Sequence, residues 1–166
     1  KKDTKLDKKG EIMEIERKFL VPALPPDYQS WEAIQMEQGY LSTAPVVRVR
    51  KENDEYYLTY KSKGLLAREE YNLPLTRESY EHLLSKADGI IITKTRYKKP
   101  IQGTSLTIEL DVFSGAYEGL VLAEVEFSSV DEANAFVPPA WFGEDVTLSS
   151  KYQNSRLSQA NNNLNV

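Results

Sequence analysis

Between Met13 and Leu20 charged and apolar residues alternate (Glu14, Ile15, Glu16, Arg17, Lys18, Phe19), and a period of two sets them on opposite faces of a β-strand. Pro22, Pro25 and Pro26 end the run. Strand patterns recur over Ile34 to Leu41, Val46 to Glu52, Glu55 to Lys61, Leu66 to Leu75, Ile90 to Tyr97, Ser105 to Phe113 and Leu120 to Phe127, which makes eight. The punctuation between them is short: Asn53-Asp54, Lys63-Gly64, and Ile101 to Thr104 with Gly103. Short turns make neighbouring strands antiparallel. Helical signals are fewer. Thr76 to Lys86 carries a capping Thr76, Ser79, and apolar Tyr80, Leu83 and Leu84, and shorter segments are expected at Asp131 to Phe136 and from Ser149 onward. One domain is expected over residues 11–160, between a charged lead (1–10), disordered or tag-derived, and a polar frayed tail (161–166).

The parity of the charged residues repeats from strand to strand. Residues two apart share a face: Glu14, Glu16 and Lys18; Arg48 and Arg50; Thr59 and Lys61; Arg68 and Glu70; Lys94 and Arg96; Glu109 and Asp111; Glu124 and Glu126. The alternate positions are largely apolar, among them Ile15, Phe19, Val47, Val49, Leu58, Ile108, Leu110, Val125 and Phe127. For a single strand this describes a solvated outer face. Repeated over seven strands, with cations and anions at every second position, it points to eight strands closing on themselves with the charged faces converging on one lumen. The expected fold is therefore α+β, mainly β: a closed eight-stranded antiparallel barrel with its apolar faces packed outward against flanking helices.

Composition narrows the chemistry. The formal net charge of -4 argues against a surface built for nucleic acid, so any basic site is local. The absence of cysteine excludes thiol catalysis and thiolate metal sites, and a single histidine, His82, excludes a multi-imidazole zinc site. His82 is read as a solvent-facing helical residue. No apolar run is long enough to span a bilayer and the lead lacks the apolar core of a secretory signal, so a cytoplasmic protein without a membrane partner is expected.

The charges also suggest the ligand. Arg48, Arg50, Arg68 and Arg96 offer planar forks suited to phosphate oxygens, and Lys18, Lys61 and Lys94 add point charges, which together imply a polyanion. Glu14, Glu16, Glu124 and Glu126 would repel that polyanion unless a cation bridges them, and all-oxygen ligation favours Mg²⁺ or Mn²⁺. Carboxylates holding a metal against a phosphate chain, amid Arg and Lys, are the parts of a phosphoryl-transfer site.

Glu14-x-Glu16-x-Lys18, Arg48-x-Arg50, Lys61, Arg68-x-Glu70, Lys94-x-Arg96, Glu109-x-Asp111, Glu124-x-Glu126 and Lys151, in that order, resemble the CYTH family, the triphosphate tunnel metalloenzymes, and in particular its small bacterial tripolyphosphatases. The resemblance implies a tunnel-like barrel and metal-dependent hydrolysis of inorganic triphosphate to pyrophosphate and orthophosphate. It assigns Glu14, Glu16, Glu124, Glu126 and Asp111 to metal and Lys18, Arg48, Arg50, Lys61, Arg68, Lys94, Arg96 and Lys151 to substrate, with Lys18, Arg50, Lys94 and Arg96 also acting in catalysis. Tyr40 is read either as a proton acceptor or as a wall aromatic, and Lys151 to Asn154 as the opening of a C-terminal helix at one tunnel mouth. The family also contains class IV adenylate cyclases and organic triphosphatases, so a nucleoside or thiamine triphosphate is the alternative substrate, and a non-catalytic polyphosphate-binding module the alternative of another class. Between monomer and homodimer the sequence does not choose.

Overall fold

The computed structural model describes residues 13–159, so the lead 1–10 and the tail 161–166 of the sequence reading lie outside the described residues. Eight strands form the body: β1 (Met13–Leu20), β2 (Glu32–Thr43), β3 (Val46–Glu52), β4 (Glu55–Lys61), β5 (Ala67–Pro74), β6 (Asp88–Pro100), β7 (Thr107–Ser114) and β8 (Val121–Glu126). All pair antiparallel and close in the order β1-β5-β4-β3-β2-β6-β7-β8. β2 and β6 run longer than their apolar patterns predict, because they pair with each other from Glu32↔Lys98 to Tyr40↔Asp88 and the ladder carries each past its own apolar stretch. Asn53, in the two-residue turn between Glu52 and Glu55, takes φ 52°, the conformation such a tight hairpin demands and asparagine tolerates.

The outward faces are covered as the parity predicts. Ile15, Phe19, Ile108, Leu110, Val125 and Phe127 pack with Ala133 of α2 (Val130–Ala135) and with Phe142. Across β2–β4 lies α1 (Arg77–Leu84), opened by a reciprocal cap in which Thr76 Oγ1 accepts from Ser79 N and Ser79 Oγ accepts from Thr76 N. Its one buried residue, Tyr80, stacks on Tyr56, and His82 is exposed. A Cβ on Gly39 would sit 2.8 Å from Ala87 Cβ and 2.9 Å from Leu84 Cδ1, so glycine is what lets the end of this helix lie down on β2.

The lumen is not charged throughout. At one end the inward positions turn apolar: Ile92, Phe113 and Leu122 form a second core with Leu120, Val146 and Leu157. Leu157 belongs to α3 (Asn154–Leu157) and is fully buried, so the C-terminal segment plugs this end. It is held there by Tyr117, whose hydroxyl donates to Leu157 O, and by Ile90 N, which donates to Ser158 O at 2.6 Å. That carbonyl comes within 2.1 Å of where a Cβ of Gly89 would stand, a contact only glycine allows.

Candidate active site

The barrel draws the alternating charges together. Glu14, Glu16, Tyr40, Arg48, Arg50, Lys61, Arg68, Arg96, Glu109, Glu124 and Glu126 line one cavity, with Asn154 and Ser155 at its edge. Lys18, Lys94 and Asp111 join through ion pairs: Lys18 Nζ lies 3.4 Å from Glu124 Oε1, and Lys94 Nζ 2.6 Å from Asp111 Oδ2. Lys151 is not brought into this set. It is exposed on the 3₁₀ turn before α3, its ammonium 5.6 Å from the Tyr152 ring.

One wall, from β6 to β8, is saturated in that its cations, Lys94 and Arg96, are both paired with anions. Arg96 Nε and Nη2 donate to the two oxygens of Asp111 at 2.7 and 2.9 Å, Nη1 donates to Glu109 at 2.5 Å, and Nη2 reaches Glu124 at 3.3 Å. The register Arg96↔Asp111 sets this fork directly opposite its carboxylate. Asp111, expected among the metal ligands, has both oxygens occupied by Lys94 and Arg96 and serves as their counterion. Burial drives the Lys94 pKa down to about 7, with Arg96 and Arg50 adding to the fall and Asp111 opposing it.

The wall of β2 and β3 is different. Arg50 Nε donates to the neutral Gln38 Oε1 at 2.7 Å, and its nearest anion is Glu52, 3.5 Å from Nη1. Burial, together with Arg48 and Arg96, lowers its pKa to about 10. Arg48 Nε is buried without a hydrogen bond; its partners include Tyr40, whose hydroxyl also accepts from Gln38. Arg68 Nε on β5 is likewise without a hydrogen bond, 3.7 Å from Glu14 Oε1. Two arginines with a buried, unused Nε donor, and a third bound to a neutral amide, leave cationic capacity facing the cavity.

On β1 and β8 the carboxylates crowd. Glu16 stands opposite Glu126 in the ladder. Burial, with Glu14 and Glu124 nearby, pushes its pKa up to about 8. Glu14 goes the other way: burial opposes its charge, but Lys61, donating to both oxygens at 2.7 and 2.9 Å, holds its pKa well below the usual range. Glu124 Oε1 is buried and receives no hydrogen bond. A carboxylate oxygen that accepts no hydrogen bond and has its lysine only at 3.4 Å, beside a glutamate whose charge is disfavoured by burial and by its acidic neighbours, fits a hard divalent ion. Among the described residues no three carboxylates close up tightly enough to hold an ion alone.

The CYTH domain model matches residues 13–162, a span that contains all eight strands of the barrel. This chain belongs to the CYTH domain family. The triphosphate enzymes of that family are metal-dependent. An inorganic triphosphatase of Nitrosomonas europaea is 43% identical over 150 residues, covering 89% of this chain and 97% of the relative. Another, of Acetivibrio thermocellus, is 40% identical over 152 residues, covering 87% and 92%. A crystal structure of an inorganic triphosphatase superposes with a TM-score of 0.65 at 40% identity, covering 87% of this chain and 93% of that one. A putative adenylate cyclase from Bacillus halodurans shares the fold alone, at 16% identity and a TM-score of 0.56. No helix among the described residues is long and apolar enough to cross a membrane.

Two site residues escaped the sequence reading. Gln38 is fully buried and bonded to Arg50, and its parity with Tyr40 could have placed it in the lumen. Asn154, which accepts from Lys94 Nζ at 3.2 Å, sits in a four-residue helix with no periodicity to mark its direction.

Proposed function

We propose that this chain is an inorganic triphosphatase, hydrolysing tripolyphosphate to pyrophosphate and orthophosphate, with Mg²⁺ or Mn²⁺ held by Glu16, Glu124 and Glu126 and steadied by Glu14. The observation that carries this reading is the meeting of two groups in one cavity: arginines with unused donors on β3 and β5, and carboxylates crowded together on β1 and β8. A linear polyanion with its metal completes both, and the close relatives are named for that substrate.

In this reading Arg48, Arg50, Arg68 and Lys61 grip the phosphate chain, and Arg96 and Lys94, anchored on Asp111, present a fixed positive end to the terminal or leaving oxygens. A bound metal supplies Lewis-acid stabilisation and charge neutralisation. Water attacks the terminal phosphorus in line, the bridging P–O bond breaks, pyrophosphate leaves carrying the electron pair, and the water's proton passes to a phosphate oxygen and on to solvent. The protein's part is orientation and electrostatic stabilisation with no covalent intermediate. Tyr40, with its hydroxyl against Arg48 and Gln38, positions an arginine in this scheme rather than taking a proton.

Orthophosphate release from tripolyphosphate, ATP, thiamine triphosphate and pyrophosphate, each with Mg²⁺, Mn²⁺ or chelator, tests the assignment. Tripolyphosphate is expected to be turned over fastest and chelator to stop it; preference for ATP with release of pyrophosphate would turn the reading to a cyclase, and binding without turnover to a polyphosphate-holding module. Glu16→Gln and Glu126→Gln are expected to abolish turnover while the protein stays folded.

A further inference from the structure

We propose that Asn154 completes the phosphate grip from outside the barrel wall, its Oδ1 fixing Lys94 and its Nδ2 donating to an oxygen of the bound triphosphate. The inference rests on the triphosphatase reading and adds to it a residue that no strand contributes.

Lys94 Nζ donates to Asn154 Oδ1 at 3.2 Å. An ammonium only donates, so the carboxamide must turn its oxygen to Lys94, and its planarity then points Nδ2 away. Nδ2 donates to no group among the described residues, and Asn154 lines the same cavity as Arg48, Arg50, Arg96 and Glu124. A two-proton donor is thus delivered to the cavity by a segment that is itself fixed: Leu157 is fully buried in the plug, its carbonyl held by Tyr117, and Ser158 O is held by Ile90 N over Gly89.

The same segment reaches a second lysine. Tyr152 O accepts from Lys18 Nζ at 3.1 Å. Lys18 on β1 and Lys94 on β6 therefore take part of their orientation from one short C-terminal stretch, and the neutral donor of Asn154 lies beside the two charges. An asparagine suits that place because it satisfies a cation on one side and an anion on the other without a net charge of its own.

The two functions of the amide separate in two variants. Asn154→Ala removes both and should raise KM for tripolyphosphate roughly tenfold or more, the fold-change that follows from losing one hydrogen bond to a charged group. Asn154→Asp keeps the acceptor for Lys94, so a residue that merely holds the lysine would leave it at wild-type activity. If Nδ2 grips phosphate, the aspartate loses the donor, sets a negative charge against the polyanion and raises KM more than alanine does. Wild-type KM in Asn154→Asp, or in Asn154→Ala, overturns the proposal. The melting-temperature rise caused by tripolyphosphate alone should shrink in the order wild type, Asn154→Ala, Asn154→Asp, while the ligand-free melting temperatures of all three stay close. Equal shifts in all three proteins would also overturn the proposal. That shift is read without turnover, so a wild type that binds tripolyphosphate without cleaving it would refute the triphosphatase reading and still report on Asn154.

Discussion

The wall of β6–β8 and the wall of β2–β3 carry the same kind of residue and use it in opposite ways. Arg96 spends its guanidinium on three carboxylates, whereas Arg50, also deeply buried, has a glutamine as its close partner and Glu52 only at 3.5 Å. A buried cation fully engaged by anions is part of the frame, and removing it leaves charges stranded. One without that compensation carries a desolvation cost that only a ligand can recover. In the proposed reading the grip on the phosphate chain falls where the structure is least satisfied, and stability where it is most so.

The largest expected effect tests the saturated wall. Arg96→Ala would leave Asp111, fully buried, with only Lys94, and Glu109 without its guanidinium. Breaking a buried pair from one side costs about 3–5 kcal/mol, so chemical denaturation should show a loss of that order, or no folded protein. A fall of less than about 1 kcal/mol would place Arg96 with the open wall.

Arg50→Met removes the charge from the open wall and keeps most of the side chain's volume. The ligand-free melting temperature should hold or rise, because burial and the neighbouring Arg48 and Arg96 already work against the Arg50 charge. Turnover should suffer instead: one charge-assisted contact of about 1.5–3 kcal/mol corresponds to a loss of roughly ten- to 150-fold in kcat/KM. Saturating tripolyphosphate with Mg²⁺ should stabilise the wild type by about 2.7 kcal/mol at a hundredfold excess over Kd, and Arg50→Met much less at the same concentration. Orthophosphate, too short to span both walls, should give a smaller shift even with the wild type. Equal shifts from the two anions would mean that the cavity does not read a chain.

This division was only half legible in the sequence. The parity of Glu14, Glu16 and Lys18, of Arg48 and Arg50, and of Glu124 and Glu126 sufficed to place them in a lumen, because the period of a strand is local and needs no knowledge of its neighbours. Which cation meets which anion depends on register across strands distant in the chain, such as Arg96↔Asp111 and Glu16↔Glu126. Asp111 was therefore grouped with the metal ligands although its oxygens are occupied, and Lys151 with the phosphate grip although it is exposed and does not line the cavity. The plug was expected from a resemblance and not from pattern, since Leu157 belongs to a helix too short to show one.

The smallest expected effect is a pH dependence in which Glu16 of β1 and Lys94 of the saturated wall act with opposite sign. Glu16, pushed up to about 8 by burial and by Glu14 and Glu124, holds a proton in the folded protein that it gives up in the unfolded one once the pH passes the ordinary carboxylate value. The folded state then binds more protons than the unfolded one, so this contribution is fully present below that ordinary value and is lost as pH rises through about 8. Lys94 on the saturated wall runs the other way: with its pKa brought down to about 7 by burial, it loses its proton in the folded state at a lower pH than in the unfolded one, so above about 7 its contribution to stability grows with pH. Between pH 5.5 and 6.5 Glu16 acts largely alone, and ligand-free stability should fall by at most the limit for one proton, about 1.4 kcal/mol per unit. Glu16→Gln should flatten that slope, and Mg²⁺, which takes the place of the proton, should stabilise the wild type more at pH 8 than at pH 6. Denaturant midpoints measured across this range in both proteins decide it: an unchanged slope in Glu16→Gln would remove Glu16 from the crowded carboxylates, and with it the reason to expect a cation there.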